Sequence, residues 1–253
     1  MKTALIPAFS LLAAVVAGCG GGSDVGSGSA STAGGFRVVN GITDSSGLTV
    51  SLGGSATAST SFGAVGQNYV VAAGSYSATL SSNGETFQIP AVAIAEDQLT
   101  TLFATGTIAG THGGFTTQES LSAPASGLRL QWVHAAYAES QSVPEFDIYL
   151  VTPGSGITGA TPTAVSYGSG SGDVPLAAGK YEIIVTNPNN ANAIVFDSGA
   201  TGVTMPLAGS STSTVSLNIA ALDAAGGSKD GSPISLLLLQ NTGESQALFN
   251  GQN

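Results

Sequence analysis

Two stretches of the chain, Phe62 to Leu80 (FGAVGQNYVVAAGSYSATL) and Tyr167 to Val185 (YGSGSGDVPLAAGKYEIIV), align without a gap at an offset of 105 residues. Each opens on an aromatic residue followed by Gly, carries Ala-Ala-Gly at 72–74 and 177–179, and places a Tyr two residues later. From Tyr76 and Tyr181 apolar residues recur at every second position: Tyr76, Ala78, Leu80 and Tyr181, Ile183, Val185. A period of two predicts a half-buried β-strand. The Gly before each Tyr suits a corner that needs positive φ or a close backbone approach. A corner and strand repeated this way predict two copies of one β module.

The rest of the chain extends that pattern in both directions. In the first repeat, residues 36–122, strands are expected at Phe36 to Asn40, Leu48 to Leu52, Tyr69 to Val71, Tyr76 to Leu80, Phe87 to Ile89, Val92 to Ile94 and Leu99 to Phe103. Thr107 to Ala125 reads either as a weak last strand or as the join between modules. The second repeat, 128–241, offers Leu128 to Val133, Phe146 to Leu150, Ile194 to Phe196, Val203 to Leu207, Val215 to Ile219 and Ile234 to Leu239, with a short helix around Ala220 to Ala225 and a tail over 242–253. Matched positions drift from an offset of 94 (Asn40/His134) through 98 (Leu48/Phe146) to 105, so the second repeat has gained four residues and then seven. Many short strands between turn signals predict an all-β chain of two tandem antiparallel β-sandwiches, Ig-like or transthyretin-like. A length of 253 residues suits two domains of about 100 residues each.

Residues 1–18 have the form of a signal peptide, with Lys2 ahead of an apolar core too short to span a bilayer. The segment ends Val16-Ala17-Gly18-Cys19, which resembles the lipobox of bacterial lipoproteins. That resemblance implies acylation of Cys19, the single cysteine of the chain and hence unable to form an internal disulfide. Residues 19–35 then read as a lipidated Cys followed by a Gly/Ser-rich tether, with an r.m.s. reach of about 20–24 Å. The expected location is the bacterial cell envelope, with the membrane reached through this lipid. Gly20 in place of an aspartate retention signal leans the expectation towards the outer membrane.

Charge narrows the partners. Only 8% of residues are charged, against about 25% in an average soluble domain, and the net charge is −10. The five basic residues are scattered, so no patch could follow a phosphate backbone and nucleic acid is excluded as a partner. Expected partners are an unspecified protein or glycan.

Family resemblance becomes specific in the second repeat. VHAAYAESQSVPEFDIYL followed by LAAGKYEIIV is similar to the DUF4397 family of bacterial exported proteins. Val133, His134 and Ala135 match its opening strand, Asp147, Ile148 and Tyr149 its second strand, and Leu176, Gly179 and Tyr181 its corner. The loop Ala136 to Val143 departs from the family's Ser-Pro-Asp-Ala-Pro. In the first repeat Asn40 replaces the His and Thr49 the Asp. The resemblance implies a β-sandwich and export, and no agreed activity.

Chemistry-bearing patterns are sparse. Gly154 to Ala160 fits the spacing of a dinucleotide fingerprint, but Thr161-Pro162-Thr163 follows where a helix must open, so a glycine-rich loop is expected and no cofactor. His134 and Asp147 are the one pair suited to acid–base work, though no nucleophile elbow accompanies them. A hydrogen bond between them, closing the loop they flank, is the plainer expectation. His112 lies in a Gly/Thr loop, and no Cys/His/Asp cluster has zinc spacing, so no metal is expected. Residues 223–230 (DAAGGSKD) carry acidic oxygens that calcium could accept, yet lack EF-hand spacing. Trp132 could stack on sugar, but its alternation with Leu130 places it in a core. The expected function is therefore a non-catalytic, lipid-anchored envelope protein with a structural, adhesive or partner-binding role. Its binding surface would lie on the longer loops 135–145 and 151–166. The alternatives are an envelope-polymer hydrolase using Glu139, Glu145 or Asp147, which needs two carboxyls about 5–9.5 Å apart in a cleft, and a small-ligand carrier with an apolar cavity.

Overall fold

The computed structural model describes residues 32–208, 214–224 and 231–251, and from Thr32 onward the chain forms one compact unit. Cys19, the signal segment and most of the tether lie outside the described residues. The fold is all-β, with eighteen strands and one four-residue helix among the described residues. The first half supplies β1 (Ala33–Ile42), β2 (Leu48–Leu52), β3 (Ser55–Thr60), β4 (Tyr69–Ala72), β5 (Gly74–Ser82), β6 (Glu85–Ile94), β7 (Gln98–Gly106) and β8 (His112–Ser120). The second supplies β9 (Leu128–His134), the helix α1 (Tyr137–Ser140), β10 (Glu145–Val151), β11 (Thr163–Ser166), β12 (Val174–Leu176), β13 (Gly179–Asn187), β14 (Asn190–Asp197), β15 (Val203–Met205), β16 (Ser216–Asp223), β17 (Ile234–Gln240) and β18 (Ser245–Leu248).

Each half forms two sheets, and the strand orders repeat. In the first half they are β4-β1-β7-β8 and β3-β2-β5-β6; in the second, β12-β9-β16-β17-β18 and β11-β10-β13-β14, with β15 added to β13. The first strand of each half runs parallel to a late one, β1 to β7 and β9 to β16. The duplicated stretch keeps its surroundings to the level of single bonds. Tyr76 Oη donates to the Ala72 carbonyl at 2.8 Å, and Tyr181 Oη to that of Ala177 at 2.9 Å. The Gly63 amide donates to the Asn40 carbonyl and the Gly168 amide to that of His134, each from a glycine with positive φ. The glycines before the tyrosines do not take positive φ; a Cβ on Gly74 or Gly179 would touch the tyrosine ring at 3.5 Å. That is ordinary van der Waals contact, so neither backbone conformation nor the ring demands glycine at these two positions.

Four sheets give three apolar layers. Phe36, Val38, Ile42, Leu102 and Ala104 face Val50, Leu80, Val92 and Ile94 inside the first half. Leu130, Trp132, Leu217, Ile219, Leu236 and Leu238 face Phe146, Ile148, Ile183, Val185 and Phe196 inside the second. The residues between them in sequence point the other way and form a third core: Val39 and Phe103 against Val133, Ala220, Leu222, Leu237 and Leu239. The inner strands β1, β7, β16 and β17 are consequently buried almost end to end, whereas β2 keeps the alternation of a strand with one face in water. Strands covered on both faces lose the apolar/polar alternation of a half-exposed strand, and the polar residues they keep, such as Arg37, Asn40 and Asn218, are themselves buried.

The seam also carries the most deeply buried ions. Arg37 donates from Nη2 to Glu119 Oε1, from Nε to Thr101 Oγ1 at 2.8 Å and from Nη1 to the Gln240 carbonyl at 2.8 Å; Asn218 Nδ2 adds a 3.1 Å bond to Glu119. Arg37 and Glu119 come from the first half, Asn218 and Gln240 from the second.

Several boundaries differ from the sequence expectations. The tether ends earlier than residue 35, because Ala33 to Gly35 already pair with β4. Gly34 is needed there: a Cβ would lie 2.2 Å from the Ala95 carbonyl oxygen. Thr107 to Ala125 contains the full strand β8, buried on its seam side. The short helix expected around Ala220 to Ala225 is not formed by the described part of that segment: Ala220 to Asp223 belong to β16, whose two buried faces erase the period of two and leave an alanine-rich run that mimics a helix, while Ala225 lies outside the described residues. The tail over 242–253 contains β18, paired to β17.

Removing one partner of a buried ion pair strands the other charge, at a cost of about 3–5 kcal/mol. Arg37→Met should therefore lower unfolding free energy by about that amount, while Arg37→Met combined with Glu119→Leu should recover most of it. Urea denaturation of the three proteins gives the comparison.

Candidate functional site

The residues singled out by sequence fall at different depths. Trp132 is buried in the core of the second half, so neither ring face is open to a sugar. His134, at the end of β9, is fully buried. Its ring stacks on Phe146 at 4.0 Å between centroids and meets Tyr167 edge-on at 5.5 Å. Nε2 lies 3.4 Å from the Val143 carbonyl, which makes it the protonated nitrogen and leaves Nδ1 unpartnered. Desolvation lowers its pKa to about 4, opposed only by the bond to Val143. The imidazole is thus neutral across the physiological range.

Asp147 does not bond to His134. Its Oδ2 accepts the Asn189 amide at 2.8 Å, pinning the β13–β14 turn, where Asn189 has φ +58°. The two residues hold two different loops. Their spacing in sequence suggested a pair, but they point to opposite duties because His134 ends its strand while Asp147 lies within β10 and reaches across to the neighbouring hairpin.

Asp223 opens the 223–230 segment, whose acidic oxygens calcium could accept but whose spacing favours a solvated turn. Both Asp223 oxygens accept the Ala138 amide at 3.0 Å, and Oδ1 also accepts that of Glu139 at 3.4 Å, so the carboxylate caps α1. Burial raises its pKa, against the pull of these amides. Its lone pairs are already directed at N–H groups rather than outward to a cation; residues 225–230 lie outside the described residues. Among the described residues no three His, Cys, Asp or Glu side chains come together in a way that would hold a metal.

Two further carboxylates are similarly engaged. Glu145 Oε2 accepts from Ser166 Oγ at 3.2 Å, and Glu182, within β13, accepts the Gly154 amide at 2.6 Å. That last bond anchors the glycine-rich loop after β10, where Gly154, Gly156 and Gly159 all take positive φ and a turn replaces the helix a dinucleotide would need. The seven-residue gain of the second half lies here. Ile157 and Ala160 of the loop cover Tyr149, Val151 and Ile184 on the outer face of β10 and β13. Ser51 and Thr79 stand at the matching positions of the first half, and no such cover is needed there.

Sequence reasoning did not single out Arg37, Glu119, Asn218, Tyr167 or the capping role of Asp223. Tyr167 Oη shares a 2.8 Å hydrogen bond with Thr105, joining the halves beside His134. The available signal was a polar residue at a position of strict alternation, such as Arg37 between Phe36 and Val38, or Asn218 between Leu217 and Ile219. Such residues read as solvent-facing until a second sheet covers them. No protein-family model matches the chain and no curated protein matches it.

His134 provides a pH test. A histidine of folded pKa about 4 and unfolded pKa about 6.5 binds fewer protons folded than unfolded in that window. Stability is then complete above about pH 6.5 and falls by about 3 kcal/mol as pH drops to about 4. Asn40 occupies the matching site of the first half, bonding to Ser45, Thr60 and the Ile42 amide. His134→Asn should remove most of this slope. The raised carboxyls Glu119 and Asp223 act in the opposite sense but equally in both proteins, so the difference between their urea midpoints from pH 7 to 4 isolates the imidazole.

Proposed function

We propose that the chain is a non-catalytic, lipid-anchored protein of the bacterial cell envelope that binds a partner through shaped loops. The observation that carries this reading is what its titratable groups do. His134, Asp147, Glu145, Glu182 and Asp223 each bond to a loop, a turn or a neighbouring strand. Side chains so engaged fix backbone shape, and fixed loops lower the entropy cost of binding. The resemblance of Val133 to Ala135, Asp147 to Tyr149 and Leu176 to Tyr181 to DUF4397 proteins supports export, and the Val16 to Cys19 pattern supports acylation.

The stack has two ends, and they differ. β1 begins at Ala33, where the tether enters, and finishes at Ile42. At that far end lie α1 and the loop 135–145, with Ala138, Gln141 and Ser142 exposed on a segment locked by Asp223 and His134. A tether at one end would present this loop away from the bilayer. The binding surface is assigned to 135–145 rather than to 151–166, where part of the loop covers the outer sheet.

Two measurements test the reading. Cys19→Ser should move the chain from the membrane to the soluble fraction of cells expressing it, because acyl chains supply the anchoring energy. Replacing Ala138 to Ser142 with a short Gly/Ser turn should abolish a crosslink to the envelope partner while leaving the strands folded by circular dichroism. Retention of the crosslink would place binding elsewhere.

A further inference from the structure

The exposed large apolar side chains are few, and two of them share one place. Val70, 81% exposed on the edge strand β4, and Leu121, 41% exposed just after β8, rim a groove of about 150 Å³. Its floor is Leu99 with the bare backbone of Gly34 and Gly35; Asn68 is its one polar side chain besides the Tyr69 hydroxyl. The groove therefore lies where the tether joins the fold.

The second half supplies an internal reference for this site. Arg129 occupies the position of Gly35, Pro175 that of Val70 and Ser216 that of Leu99. There Arg129 pairs with Asp173 at 3.3 Å and reaches Ser216 Oγ and the Ser122 carbonyl, both at 3.4 Å. The same corner of the same fold is polar and closed by an ion pair in one half, but apolar and open in the half that carries the tether.

We infer that this groove and its rim rest on the lipid surface to which Cys19 anchors the chain, Val70 and Leu121 dipping into the interface. The inference builds on the lipid-anchored reading above. Twelve residues separate Cys19 from Thr32. A Gly/Ser-rich segment of that length has an r.m.s. reach of about 17–21 Å and at most about 40 Å. An anchored chain so short holds the groove at high effective concentration beside the bilayer, so two apolar side chains suffice where they would not bind from solution. Charge is not the attraction. None of the groove's lining residues carries a formal charge, and Asp97 meets it through its backbone, its amide donating to the Ala33 carbonyl and its carbonyl accepting the Leu121 amide. The contact should accordingly form on zwitterionic lipid and gain nothing from anionic lipid.

The test is amide hydrogen exchange on the chain from Cys19, acylated and incorporated in phosphatidylcholine vesicles, against the Cys19→Ser chain in solution. Exchange over Asn68 to Ala72 and Leu121 to Ala123 should slow by about fivefold or more on anchoring. The Asn83-Gly84 turn, at the far end of β5–β6, should not change. Val70→Asp with Leu121→Asp, both on exposed positions, should abolish the slowing while the protein stays with the vesicles. Should mass spectrometry find Cys19 unmodified, a maleimide lipid coupled to this single thiol supplies the anchor. A failed acylation reading is thereby separated from a failed groove. Unchanged exchange on anchoring would overturn the inference, as would equal protection in the Cys19→Ser chain accompanied by a dimer in sedimentation, which would assign the groove to a second molecule.

Discussion

Everything else in this molecule follows from two sheets whose inner strands have no face in water. The sheets containing β1 and β9 are covered on one side by the outer sheet of their own half and on the other by each other. Burying a large aliphatic or aromatic side chain is worth about 1.5–3 kcal/mol. Val39, Phe103, Val133, Leu222, Leu237 and Leu239 together thus supply on the order of 10 kcal/mol to the seam, as an upper bound. The Arg37–Glu119 pair is a different kind of contribution. Each buried ion carries a desolvation penalty of several kcal/mol that its partner only roughly offsets. Burial pushes the Glu119 carboxyl up despite the adjacent guanidinium, which stays charged. The apolar side chains hold the halves together. The ions, with Asn218 and the Gln240 carbonyl, admit one alignment of them.

A seam of this kind changes what each half needs from its loops. Each end of a β stack exposes turns, and here the turns are fixed by single side chains reaching from strands: Asp223 to α1, His134 to Val143, Asp147 to Asn189, Asn40 to Ser45 and Thr60. These are buried or half-buried bonds, made in a medium where an unmade one is costly. Charged residues are only 8% of the chain, and several of them sit where they fix geometry.

The β class and the repeated stretch were legible because Tyr76 to Leu80 alternates between a core face and an outward one, and Tyr181 to Val185 repeats its core-facing set, Tyr181, Ile183 and Val185, although a loop covers the other face there. Periodicity is a signal of contrast between faces, and Tyr76 to Leu80 has it. β16 does not: Leu217, Ile219 and Ala221 face one core while Ala220 and Leu222 face another, so the contrast vanishes and the alanines suggest a helix. The Arg37 clamp was hidden for the same reason, since an isolated polar residue in an alternating strand looks solvated unless a second layer is known. The His134–Asp147 expectation failed on direction rather than identity. Both residues do fix loops, but which loop each reaches depends on β13 and β14 lying beside β10, an adjacency that one sequence does not contain.

The two halves share strand orders but not duties. Where they meet, their side chains are complements: Glu119 from one half bonds to Asn218 of the other, and Thr105 to Tyr167. Away from the seam they differ. The second half has a longer loop and, with it, an apolar outer face for that loop to cover, so each feature depends on the other. An apolar Tyr149, Val151 and Ile184 without Ile157 and Ala160 would leave a patch prone to association. The loop without the patch would have nothing to fold on. The polar Ser51 and Thr79 of the first half mark the alternative solution, in which a plain sheet faces water and a turn at Gly53-Gly54 suffices.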